Sequence, residues 1–252
     1  MALTWRDRRK YMYLSVVGAL GFLALIFVWQ TFFHTTPACS DGKQNGTERG
    51  VDCGGSCALI CQNDSRAPTV LWARAFPTAT NTFTAVAYLQ NNMVGAGARQ
   101  VQYSFQLFDQ ENNLVTEKTG VVDLPPNQTI PIVETNINVG SRSVARTQFT
   151  FARNPVWTRI AEGSIVPMRV SGSVLAQDGT RLTATIHNDS VDDVREVSVV
   201  AVLFDSSGVA RAASKSLVQG LMHKTSQQLV FTWGAAQPNI TRAEIIILPS
   251  FK

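Results

Sequence analysis

The chain of 252 residues is 45% hydrophobic and 16% charged, too apolar and too weakly charged for intrinsic disorder, and sized for about two small domains once one apolar run is set aside. Of the formal net charge of +4, Arg6, Arg8, Arg9 and Lys10 against Asp7 supply +3. No basic field remains beyond them to neutralise several phosphates at once, which excludes nucleic acid as a partner class.

From Tyr11 to Phe33 the sequence reads YMYLSVVGALGFLALIFVWQTFF, with no charged residue and only Gln30 strongly polar. The run covers the roughly 20 residues that a helix needs to cross a bilayer core. Tyr11, Tyr13 and Trp29 lie towards its ends, where amphipathic rings favour the headgroup layer, and the basic cluster precedes it. The charge rule therefore predicts a cytoplasmic tail over residues 1–10, a lipid-contacting helix over 11–33 and an extracytoplasmic remainder. The apolar core exceeds the 7 to 15 residues of a cleavable signal and runs into Phe32, Phe33 and His34, so an uncleaved single-pass signal anchor is expected. Ser15, Gly18, Gly21 and Ala24 form a small-residue strip without a GxxxG. Spacing of three drifts around a helix, and the strip reads as ordinary lipid-facing surface, with helix pairing as the alternative.

A stalk over residues 34–68 follows. All four cysteines, Cys39, Cys53, Cys57 and Cys61, fall in CSDGKQNGTERGVDCGGSCALIC, on the side where disulfides form. Two disulfides are expected, and three pairings are open. With few apolar residues, the stretch needs covalent closure to become a stiff collar. Asp41, Asn45, Glu48 and Asp52 offer oxygen ligands among Gly42, Gly46 and Gly50, the chemistry Ca²⁺ prefers, though without EF-hand spacing. Solubility of a tight loop accounts for the same residues, so calcium is the lesser reading. The cysteines lack C-x-x-C spacing and a neighbouring histidine other than His34, which argues against zinc or redox chemistry. Cys39 to Cys57 resembles a motif, C-x-D-G-x-x-N-G-x-E-x-G-x-D-C-G-G-x-C, that recurs in bacterial surface and membrane proteins. The resemblance implies an extracytoplasmic disulfide-bearing module and brings no activity with it.

After a polar linker, Gln62 to Pro68, the chain consists of short alternating segments broken by turn residues. Strands are predicted over Val70 to Phe76, Phe83 to Leu89 and Val101 to Leu107, with a last one over Thr147 to Phe151. A second set covers Met168 to Leu175, Leu182 to His187, Val197 to Asp205 and Glu244 to Leu248. An offset of 96 aligns Asn92 with Asn188, Arg99 with Arg195, Leu107-Phe108-Asp109 with Leu203-Phe204-Asp205, and Arg146 with Arg242. A one-residue shift aligns Leu124 with Leu221 and Val133 with Val230, which predicts a tandem duplication. Val101, Tyr103, Phe105 and Leu107 alternate with polar residues, so one face is buried and one is wet. Asp109 to Asn113 and Asp205 to Gly208 are the following turns, with Asn112 and Gly208 at corresponding places, residue types that tolerate positive φ. The predicted fold is mostly β: two tandem immunoglobulin-like β-sandwiches, residues 69–158 and 159–252, preceded by one transmembrane helix and the disulfide-rich stalk. Phe105-Gln-Leu107-Phe108-Asp109 is similar to the motif of the bacterial FxLYD domains, with Phe for Tyr, and Ala201-Val-Leu203-Phe204-Asp205 is its counterpart without the first Phe. That resemblance implies extracytoplasmic structural or binding modules.

In the second copy both faces of the strand are apolar, Val197, Val199, Ala201 and Leu203 on one and Val200, Val202 and Phe204 on the other. The outer face is either covered by the protein itself or is a partner surface. His34, His187 and His223 are the only histidines, and no nucleophile elbow, zincin motif, Walker loop or dinucleotide fingerprint is present. Asp192-Asp193 reads as solvated turn charge. The expected function is therefore that of a non-catalytic, membrane-anchored extracytoplasmic binding or assembly module without cofactor, holding an envelope protein or a glycan. The alternative is a structural spacer or homo-oligomeric scaffold of the cell envelope.

Overall fold

The computed structural model describes residues 5–33, 37–161, 163–248 and 251, which fall in two compact units, residues 1–56 and 57–252. Residues 1–4 of the expected tail and His34 lie outside the described residues. In the first unit the apolar run forms one helix, α1, Trp5–Phe33. It begins before Tyr11 because Trp5 to Lys10 contains no helix breaker, and the Arg9 guanidinium lies 3.9 Å above the Trp5 ring. Its 29 residues rise about 43 Å, longer than a bilayer core of roughly 30 Å. The apolar side chains of residues 11–30 are exposed on every side, and Ser15 hides its hydroxyl by donating to the Met12 carbonyl at 2.9 Å.

The second unit is built of strands. The first set is β1 Thr69–Ala79, β2 Thr82–Gln90, β3 Ala96–Phe108, β4 Leu114–Leu124, β5 Thr129–Asn138, β6 Arg146–Phe151 and β7 Trp157–Arg159. The second set is β8 Met168–Leu175, β9 Arg181–Asn188, β10 Val194–Asp205, β11 Ala210–Leu221, β12 Ser226–Thr232 and β13 Ile240–Ile247. The first set pairs in the orders β1-β2-β5 and β4-β3-β6, the second in the orders β8-β9-β12 and β11-β10-β13. The two orders are the same strand for strand, so the duplication read from the residues is present in the topology. All ladders are antiparallel.

Alternation decides which sheet face meets which core. Ala85, Ala87 and Leu89 of β2 close the first core with Tyr103, Phe105 and Leu107 of β3. Leu182, Ala184 and Ile186 of β9 close the second with Val197, Val199, Ala201 and Leu203 of β10. A third core lies between the sandwiches: Val86 and Tyr88 of β2 and Val133 of β5 meet Val200, Val202 and Phe204 of β10 and Ala210 and Ala213 of β11. The four sheets thus stack as four layers, with β1-β2-β5 and β11-β10-β13 inside. Tyr88 stacks on Trp72 at 4.6 Å, meets Phe204 edge-on at 6.3 Å, and donates its hydroxyl to Glu244 Oε2 at 2.8 Å. Burial first, and then the Glu244 carboxylate, pushes the Tyr88 phenol well above its ordinary range. A Cβ on Gly234, in the turn after β12, would lie 1.8 Å from the Thr78 carbonyl oxygen, so the backbones of the two sandwiches touch there.

Within the second unit, residues 58–60 join the first sandwich as an extra edge. Ile60 N–H donates to the Trp157 carbonyl at 2.9 Å, and Arg159 N–H to the Ala58 carbonyl at 2.7 Å. Ile60 also packs on the first core. The polar linker after Cys61 holds a single 3-10 turn, Gln62–Asp64, before β1.

Replacing both Val200 and Val202 by Thr places two hydroxyls in the third core. We expect a loss of about 2 to 4 kcal/mol in denaturant unfolding, with one transition for both sandwiches; an unchanged midpoint would show the interface to be dispensable.

Candidate functional site

The collar is a hydrogen-bonded loop in which each motif residue has a task. Asp52 Oδ1 accepts the N–H of Asp41 at 2.9 Å, and its two oxygens accept that of Gly42 at 3.1 and 3.0 Å. Asp41 accepts Lys43 N–H at 2.9 Å and Asn45 Nδ2 at 2.7 Å. Glu48 Oε2 accepts the N–H groups of Asn45 at 3.2 Å and Asp52 at 3.3 Å. Thr47 and Ser56 join through their hydroxyls at 2.7 Å. The side chain of Asn45 first, then the Lys43 amide, holds the Asp41 carboxyl below the ordinary carboxylate range. Gly55 has φ +55°, and a Cβ there would lie 1.7 Å from the Thr47 carbonyl oxygen. No other residue fits. All four cysteines are in disulfides, so no thiolate is available for zinc or redox chemistry.

The four residues read as calcium ligands, Asp41, Asn45, Glu48 and Asp52, are indeed brought together, with the three carboxylates accepting N–H groups of the loop and Asn45 donating to Asp41 and Glu48. Asn45 Oδ1 is buried without a hydrogen-bond partner, and one such oxygen falls short of the six to eight that Ca²⁺ takes.

Val200, Val202 and Phe204 do not form a free partner face. They are 0%, 0% and 5% exposed, and the first sandwich covers them, because β1-β2-β5 presents its own apolar outer face, Trp72, Phe76, Val86 and Tyr88, to the same place. That half of the contact is readable in Phe83 to Leu89, which is apolar on both faces like β10.

The alignment of Asn92 with Asn188 is also corrected. Asn188 Nδ2 donates to the carbonyls of Asp192, Leu221 and Met222, and its Oδ1 accepts Ser190 N–H. The residue with this role in the first copy is Asn91, whose Nδ2 donates to Ala96 and Pro125 and whose Oδ1 accepts Met93 N–H. Asn91 lies 16 residues before Leu107 and Asn188 lies 15 before Leu203, so a one-residue shift also falls between these asparagines and the motif. Both copies also keep the turn device after the motif. Asp109 Oδ1 accepts Asn113 N–H, and Asp205 Oδ1 accepts those of Ser207 and Val209. Asn112 and Gly208 have φ +62° and +73°. Arg146 lies 4.1 Å over Phe108, and Arg242 lies 4.2 Å over Phe204.

Neither described histidine sits in a cleft. His223 Nδ1 and N–H both reach Asp193 Oδ1, at 2.8 and 2.7 Å, in exposed loops. His187 Nε2 lies 2.8 Å from Ser171 Oγ on the outer face of β8-β9, a pairing set by strand register that no sequence signal announces. Among the described residues no carboxylate orients His187 as a third member. The pair lies exposed on a strand face, open to water rather than set in a cleft that would hold a substrate. No protein-family model matches this chain, and a comparison with curated proteins finds no match.

Two outcomes are expected. Gly55→Ala should prevent correct oxidation of the collar, seen as free thiols by maleimide labelling after refolding. The chain should also resist a fluorophosphonate probe; labelling that Ser171→Ala abolishes would instead indicate a serine hydrolase.

Proposed function

We propose that this chain is a non-catalytic, membrane-anchored extracytoplasmic binding or assembly module. In this reading α1 is an uncleaved single-pass anchor with its basic end in the cytoplasm, and the disulfide collar and both sandwiches lie outside. One observation carries the reading: the sandwiches are fused through a third apolar core into one stack, a rigid platform whose edges, loops and outer faces are left to meet a partner. The disulfides support an oxidising compartment, and the helix length supports a span. Kinship with FxLYD-type domains belongs to this proposal. It is supported by the motif residues Phe105, Leu107, Phe108 and Asp109 of the first copy and Leu203, Phe204 and Asp205 of the second. The cofactor-free reading is supported by carboxylates already engaged with amides in the collar.

A spacer or scaffold of the envelope is the second reading, favoured by the same rigidity. Cross-linking intact cells that carry a tagged copy, followed by mass spectrometry, separates the two. We expect a foreign envelope protein or glycan that is lost from a copy ending after Cys61. Recovery of self alone would favour the scaffold.

A further inference from the structure

Among the described residues, the two most exposed large hydrophobic side chains are Val94 and Val191, 83% and 78% exposed, above every large hydrophobic side chain described in α1. Each stands three residues after the buried asparagine of its copy, Asn91 or Asn188. Both asparagines pin their loops in the same way. The Asn91 side chain accepts the Met93 N–H and that of Asn188 the Ser190 N–H, while their own backbone N–H groups donate at 2.9 Å to the carbonyls of Gln128 and Thr225 in the facing loops. The two tips are therefore held in place, and both copies keep an apolar residue bare at them. Exposed Met222, whose carbonyl accepts from Asn188, adds to the second tip. The tips share one end of the stack. A Cβ on Gly97, three residues after the first tip, would lie 3.2 Å from the Phe251 ring, and Phe251 lines one hollow with Asp192, Asp193 and Val194, directly after the second. The chain enters the second unit at that same end, since Ala58 and Ile60 bond to Arg159 and Trp157, which pair with Ala96 and Ala98.

We propose that these two tips dip into the headgroup layer of the bilayer that α1 spans. This rests on the anchor reading above and assigns the lipid-facing end of the sandwiches. A valine, or a valine with a methionine, is far below the roughly 800 Å² per partner that a stable protein contact buries. A bilayer asks for less, because apolar side chains on a fixed loop enter its interface by burying area alone, with no matching surface required. Such binding is weak from solution. A chain already anchored in the bilayer presents its tips at about millimolar effective concentration, and connectivity favours these tips because the polypeptide arriving from α1 reaches this end of the second unit first. Two of the carboxylates around Val191 are also engaged within the protein, Asp189 by Arg169 at 2.9 Å and Asp193 by His223 at 2.8 Å, so they meet the headgroups already partnered.

The test uses the full oxidised chain, one copy per nanodisc, with a phosphatidylcholine that carries a diazirine near its glycerol. After irradiation, peptide mapping of the natural chain should find lipid on α1, on 91–95 and on 189–193 or 222–225. The turns at 109–113 and 205–208, beyond the far ends of β3 and β10, should carry none. In the double variant V94D/V191D the adducts at the tips should fall at least about tenfold while those on α1 stay unchanged. Adducts on α1 alone, or equal labelling of the far turns, would overturn the proposal and leave the anchor reading standing; a chain without adducts on α1 would overturn the anchor reading and the proposal with it. Adducts at the tips that arise only when the photoreactive lipid is in added vesicles would assign them to a facing membrane and overturn the proposal as well.

Discussion

Everything beyond the collar depends on the contact between the backs of two sheets. Each sandwich has a three-stranded inner sheet that is apolar on both faces. Pulled apart, the two would expose Trp72, Phe76, Val86 and Tyr88 on one and Val200, Val202 and Phe204 on the other, a patch of the size that drives association. The cost of leaving that surface wet ties the folding of one copy to that of the other. The interface also carries polar detail. Tyr88, Glu244, Arg242 and Phe204 form a chain of a hydroxyl on a carboxylate, an ion pair and a cation over a ring. These directional contacts fix register where apolar packing alone would allow sliding.

The collar follows a different logic. It has almost no apolar core, so covalent links, carboxylate staples and glycine geometry replace packing. Asp52 closes the loop on Asp41 and Gly42, Glu48 closes it on Asn45 and Asp52, and Gly55 lets Thr47 approach its backbone. The depressed Asp41 acid fits this work: the stabilisation is in place above the ordinary carboxylate range and is lost as pH falls through the lowered value.

Much of the fold was legible because burial and period coincide. Met168–Leu175 is a strand with the bounds expected of it, and β3 carries its apolar residues on one side as its alternation requires. Other strands escaped notice for physical reasons. In β4, Glu117, Lys118 and Thr119 interrupt the apolar pattern, and in β12 only Leu229 and Phe231 face a core. The paired asparagines were placed one residue out because Asn91 and Asn92 are identical neighbours, and only the hydrogen bonds distinguish the buried one. Of the candidate sites, the acidic loop was visible as a cluster but not as a staple, since composition does not reveal which donors the oxygens face.

The geometry of stacking also bears on how the chain meets further copies. The contact is heterologous: the first copy presents β1-β2-β5, while the second presents β11-β10-β13, the counterpart of β4-β3-β6. A head-to-tail contact of this kind can repeat without limit unless its free ends differ from its buried ones. Here they differ. The outer side of β3 carries Ser104 and Gln106 where β10 carries Val200 and Val202, and that of β9 carries Thr183 and Thr185 where β2 has Val86 and Tyr88. Adding a third layer pair by the same contact would bury these amides and hydroxyls without partners, a penalty that apolar contact does not offset. Duplication thus produced a stack that ends after two, and any scaffold built from this chain must form through another surface.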